Sequence, residues 1–194
     1  MAICAVAAGV FAFTSGCKSS PDAGETVESM DTFGVEVVKV KDAIDHTLKS
    51  LDTLVATQPS DIRANFESYS SSVAALDHQA NVVRERADEM KKMGDDFFKE
   101  WEAPEHMSPD RRAQLSESYA KIKADMTHAK DEFTPFLKSL KDIEGYLKLD
   151  LSLHGVNSMG ELAKKARETG GKVKSSIDAV LVQVNSVRGM IPTK

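Results

Sequence analysis

Apolar residues recur every three or four positions along most of this chain, in four separate blocks. In the first, from about Ser29 to Ala56, Phe33, Val37, Val40, Ile44, Leu48, Leu51 and Val55 share one side of a helix. Thr57-Gln58-Pro59 stops it, and Ser60 or Asp61 offers a short oxygen side chain that caps the next helix. The second block is the most regular. Ile62, Phe66, Tyr69, Val73, Leu76, Ala80, Val83, Ala87, Met90, Gly94, Phe97 and Trp101 step by four and three without a slip, and only Gly94 is not apolar. Such a repeat keeps its seam on one side only if helices wind around one another. The pattern predicts a helix from about 60 to 103, roughly 65 Å long at 1.5 Å per residue, with Pro104 ending it.

Ser108-Pro109-Asp110 restarts the helix, with serine as cap and proline at the first helical position. Leu115, Tyr119, Ile122, Met126, Ala129, Phe133, Phe136, Leu140, Ile143 and Leu147 form the third seam, reaching about Leu151. Pro135 removes one backbone donor inside it, where a kink is expected. Ser158 and Glu161 make a capping-box pattern for a fourth helix. Its seam is Leu162, Ala166, Val173, Ile177, Val180, Val184 and Val187, broken by Gly170-Gly171, which mark a weak point or a close helix approach. Gly189 and Pro192 stop it.

These lengths imply an all-α fold of four antiparallel helices. A long central hairpin, about 60–103 and 109–151, is braced by two shorter helices. Phe136, Leu137, Leu140, Ile143, Tyr146, Leu147 and Leu149 make a wide apolar face at one end of the hairpin. Between Arg84 and Lys99 the face narrows to the seam, so the stretch from about Val83 to Ala129 is expected to project as a coiled-coil tip.

Composition agrees with helices: only 11 glycines and 6 prolines in 194 residues, too few for an all-β sandwich. A formal net charge of −5 argues against non-specific nucleic-acid binding. The basic cluster of Lys164, Lys165, Arg167, Lys172 and Lys174 reads as a solvated helix face.

The first twenty residues differ in kind. Ala2 to Phe13 is uncharged and almost wholly apolar, and Thr14-Ser15-Gly16-Cys17 and polar Lys18-Ser19-Ser20 follow. A dozen apolar residues fall short of the roughly twenty that span a bilayer, but suit a signal-peptide core. The small-small-Cys ending resembles a bacterial lipobox with Cys17 as the lipidated residue, although Thr14 stands where Leu is usual and no Lys or Arg precedes the apolar run. An ordinary cleaved signal or a buried N-terminal helix are the alternatives. The division that follows is 1–16 as a lipoprotein-type signal peptide, 17–28 as a flexible tether and 29–190 as the helical domain. Cys4 leaves with the signal and acylation occupies Cys17, so no thiol or disulfide supports the mature fold.

Catalytic chemistry finds little purchase. Of His46, His78, His106, His128 and His154, only His128 has a helix-competent metal spacing, Asp125-x-x-His128, and no second such pair accompanies it. Gly170-Gly171-Lys172 fails as a phosphate loop, because Val173 follows the lysine and no strand precedes. No serine or threonine sits in a nucleophile turn, and the pairs Asp95-Asp96 and Asp131-Glu132 fall at solvent-type positions. No catalytic residue, metal site or cofactor is expected. Trp101 and Met107, near the hairpin turn, either close the seam or form a partner-contact tip.

Phe98-Lys99-Glu100-Trp101 with Arg111-Arg112, then Tyr119, Met126, Ala129, Phe133-x-Pro135-x-Leu137 and Tyr146-Leu147-Lys148-x-Asp150-Leu151 resemble the bacterial domain-of-unknown-function family 2959. The likeness runs from about Phe33 through Val187. The resemblance implies an exported, helical protein and supplies no activity and no site residues. The resulting expectation is a non-enzymatic, membrane-anchored lipoprotein facing the periplasm, with protein partners on its helical surface and no nucleic acid. The alternative is a small-ligand or metal-binding helical bundle in the periplasm.

Overall fold

The computed structural model describes residues 22–100 and 107–191. Among them are five α-helices and no strand: α1 Ala23–Val55, α2 Ile62–Glu100, α3 Pro109–Leu149, α4 Leu153–Ser158 and α5 Gly160–Met190, with a 3₁₀ turn at Pro59–Asp61 before α2. Each long helix buries most of the seam its sequence announces, and the buried apolar residues of the helices join in one core.

Three boundaries depart from expectation. α1 begins at Ala23, so residues 23–28, expected in the tether, form its first turns. Asp22 accepts from the Glu25 N–H at 2.8 Å, and Glu25 reaches back to the Asp22 N–H at 3.3 Å. Thr26 continues the buried face behind Met30 and Phe33, its hydroxyl donating to the Asp22 carbonyl at 3.0 Å. A buried polar position hides the periodicity from an apolar count. At the start of α2, neither Ser60 nor Asp61 caps the helix, because the 3₁₀ turn occupies that place. A short helix that the sequence does not announce, α4, precedes the last block. Ser152 caps α4, accepting from the Gly155 N–H at 3.1 Å, while Ser158 ends α4 and donates back to the His154 carbonyl. α5 therefore starts without the expected Ser158 cap.

Two seam assignments shift with it. Leu162 is 46% exposed, and Ala163 is fully buried in its stead. Tyr146 and Leu149, expected on the wide face, lie outside the core, Leu149 at 90% exposure. At the other restart, Ser108 accepts from the Arg111 N–H ahead of Pro109, as the sequence indicates.

α1 packs against α2 and α5, and α3 against α2 and α5. Thr47 lets α1 and α2 approach closely, its hydroxyl lying 2.8 Å from the Ala43 carbonyl and 3.1 Å from the Ser72 carbonyl across the interface. Between α1 and α5 run four ion pairs: Asp31–Arg188, Lys41–Asp178, Asp45–Lys174 and Asp52–Arg167. Their partners follow opposite orders along the two helices. Between α2 and α3 the pairs Asp77–Lys141 and Asp95–Lys123 do the same.

Candidate functional site: an apolar cleft between the helices

Above Ala80 the core is filled by large side chains: Tyr69, Leu76, Phe136, Leu140 and Ile143 are all essentially inaccessible. The Tyr69 hydroxyl donates to the Leu140 carbonyl at 2.8 Å. Its burial, with the Glu144 charge adding, raises the phenol well above its ordinary range. Toward the α2–α3 turn the seam closes again through Met90, Phe97, Leu115, Tyr119 and Ile122. Between these levels it opens. Val83, Ala87, Met126 and Ala129 occupy seam positions but are only partly buried.

All four line a cleft of about 290 Å³ whose other apolar walls include Phe33, Val37 and Val40 of α1 and Ile177 and Val180 of α5. Ala80, Ala87 and Ala129 leave it open, because alanine carries too little volume to bridge the four helices. Around the apolar floor stand Arg84, Asp88 and Lys91 from α2 and Lys123, Thr127, Lys130 and Asp131 from α3. The lining carries no His, Cys or Ser, so what it offers is shape, apolar surface and charge.

The residues singled out from sequence are scattered. Cys17 and Trp101 lie outside the described residues, as does His106. Met107 is buried. His46, His78 and His154 are exposed on different helices. His128 is 66% exposed, with Nδ1 3.3 Å from the Ser176 hydroxyl and 3.9 Å from Glu132. Asp125 buries one carboxylate oxygen with no hydrogen-bond partner, and no set of three metal-ligating side chains occurs among the described residues. Gly170 lies inside α5, where it admits Leu48 and Phe136. Of the basic cluster, Arg167 and Lys174 belong to the ion-pair row with α1. Asp95 binds Lys123, Glu132 accepts from Ser176, and Asp131 lines the cleft.

The cleft itself escaped the pattern. Its one trace in the sequence is the run of alanines at seam positions, and alanine is equally common in filled seams. No described helix is long and apolar enough to cross a membrane.

A family model described as a protein of unknown function, DUF2959, matches residues 29–189. No curated protein and no solved structure matches the chain.

Proposed function

Because the chain belongs to the DUF2959 family, whose description carries no activity, we propose from its own residues that it is a non-enzymatic protein of the cell envelope. It is anchored through lipid on Cys17, faces the periplasm and works by offering helical surfaces to a protein partner. The carrying observation is a group of apolar side chains left outside the core around the corner from α3 to α5. Tyr146, Leu149, Leu153 and Leu162, near one another in sequence, are all exposed, and apolar side chains left in water gain from being covered by a partner. The anchor is supported by the uncharged Ala2–Phe13 run, by Thr14-Ser15-Gly16-Cys17 and by a helix that begins six residues beyond the cysteine, at Ala23.

In this reading the four long helices form an antiparallel set, and α2 and α3 continue beyond the cleft as a two-helix coil. The opposite order of partners along α1 and α5, and along α2 and α3, supports it. Trp101, which the sequence puts between α2 and α3, is then a second contact.

Fractionation of cells tests the anchor. Cys17→Ser is expected to move the protein from the membrane pellet to the soluble fraction and to abolish labelling by a tagged fatty acid; unchanged pelleting and labelling would remove the anchor. A photo-crosslinker placed at exposed Leu149 is expected to give an adduct in intact envelopes that one at buried Leu140 does not. Equal results at the two positions remove the contact surface.

A further inference from the structure

The repeat that runs unbroken through the sequence is covered on both sides of one level and left open at that level. Val83, Ala87, Met126 and Ala129 are apolar and pack against the core, yet each stays only partly buried and lines the cleft, and apolar surface kept in an open cleft favours an apolar occupant. The rim carries a second message. Arg84 and Lys91 line it from α2, Lys123 and Lys130 from α3, against Asp88 and Asp131.

The rim's own Lys123 is matched, bound by Asp95 at 2.7 Å, as Lys141 is by Asp77 at 2.8 Å farther along the same helices. Seven residues after Asp77 the register reaches Arg84, whose guanidinium donates only to the neutral Asn81 side chain. Among the described residues, Arg84, Lys91 and Lys130 form no ion pair. Arg84, Lys91 and Lys130 thus stand against Asp88 and Asp131 alone, and this excess of positive charge at the rim favours an anion.

We propose that this cleft binds a single-chain anionic amphiphile, of which a medium-chain fatty acid is the simplest case. Its chain lies along Val83, Ala87, Met126 and Ala129, and its carboxylate faces Arg84, Lys91 and Lys130. The volume selects an acyl chain over a partner helix. About 290 Å³ holds on the order of ten methylene groups, each taken at the roughly 30 Å³ of a water molecule. A helix, about 10 Å across, would lie over the mouth of the cleft and leave this space unfilled. This site does not depend on the anchor or the contact surface proposed above.

Calorimetric titration of the full chain with decanoate is expected to give a one-to-one complex. Decanol, which has the chain without the charge, is expected to bind at least about tenfold more weakly. The double variant Arg84→Glu/Lys130→Glu, at exposed positions, is expected to weaken decanoate at least about tenfold with unchanged helix content by circular dichroism. Ala87→Trp, which fills the floor, is expected to abolish binding; should it disturb folding, the charge variant decides. Absence of decanoate binding, equal affinity for decanol, or indifference to the charge reversal overturns the proposal. So does tight binding of an acidic amphipathic peptide that decanoate does not displace.

Discussion

The ring of Tyr119 lies where a side chain on Gly94 would have to go. A Cβ built on Gly94 would stand 2.3 Å from the Tyr119 hydroxyl oxygen and 2.5 Å from its Cζ, while that hydroxyl donates to the Lys91 carbonyl at 2.9 Å. The one non-apolar position of the second seam thus makes room for a large residue of the third, which also stacks on Phe98 with ring centres 4.7 Å apart.

Gly94→Ala is therefore expected to destabilise the protein by about 1–3 kcal/mol, as overpacking does, although alanine favours a helix interior over glycine by about 1 kcal/mol. Adding Tyr119→Phe, which removes the closest atom, is expected to recover part of the loss. Urea unfolding of the parent protein and the two variants measures both changes. A gain in stability for Gly94→Ala alone contradicts the packing described.

Two adjacent glycines of α5 should respond in opposite senses. A Cβ on Gly170 would meet Leu48 Cδ1 at 2.9 Å and Phe136 Cε2 at 3.1 Å, whereas nothing lies within 4 Å of one on Gly171. Gly170→Ala is expected to cost about 1–3 kcal/mol, and Gly171→Ala to stabilise by roughly 0.5–1 kcal/mol. Thermal melts of the two variants give the comparison, and equal shifts would refute it.

Glu144 couples stability to pH. Burial alone would raise its carboxyl, but hydrogen bonds from Lys148 and Ser70, with the charges of Lys148 and Lys141, outweigh burial and hold it below its ordinary 4.5. The folded protein thus keeps this carboxylate ionised where the unfolded chain binds a proton. The stabilisation is complete above about pH 4.5 and is lost as pH falls through the lower folded value. Glu144→Gln is expected to lower stability at neutral pH by about 0.5–1.5 kcal/mol, with the difference shrinking as pH falls below 4.5 through the lower folded value. Denaturant midpoints across that range show whether the two curves converge.

The four ion pairs between α1 and α5 are exposed, and each is expected to contribute about 0.2–1 kcal/mol at low salt. Asp45→Lys sets a like charge against Lys174, whose partner it replaces at 2.5 Å. It should cost up to about 1 kcal/mol, and adding Lys174→Asp should restore most of that. A double-mutant cycle that gives no coupling would mean the pair adds nothing to stability.

Much of this molecule is legible from spacing alone, because a buried helical face demands an apolar residue every three or four positions whatever lies opposite. Phe33 to Leu51, Ile62 to Phe97 and Leu115 to Leu147 could largely be assigned on that rule, as could the Ser108-Pro109 start of α3, whereas at the end of α1 Leu54 is buried in place of the expected Val55. The rule fails where the buried residue is polar, as at Thr26 and Thr47, or where two neighbours compete for one place, as Leu162 and Ala163 do. It also says which residues seek cover, and not whether cover is found.

The sequence by itself determined the four long helices and most of the inward side of each. Only the tertiary structure decided which helices face one another, that Gly94 receives Tyr119, and that the seam opens at Val83, Ala87, Met126 and Ala129. The reason is physical. Periodicity is a property of one helix, but a filled core or an open cleft depends on the summed volume that four helices bring to the same level.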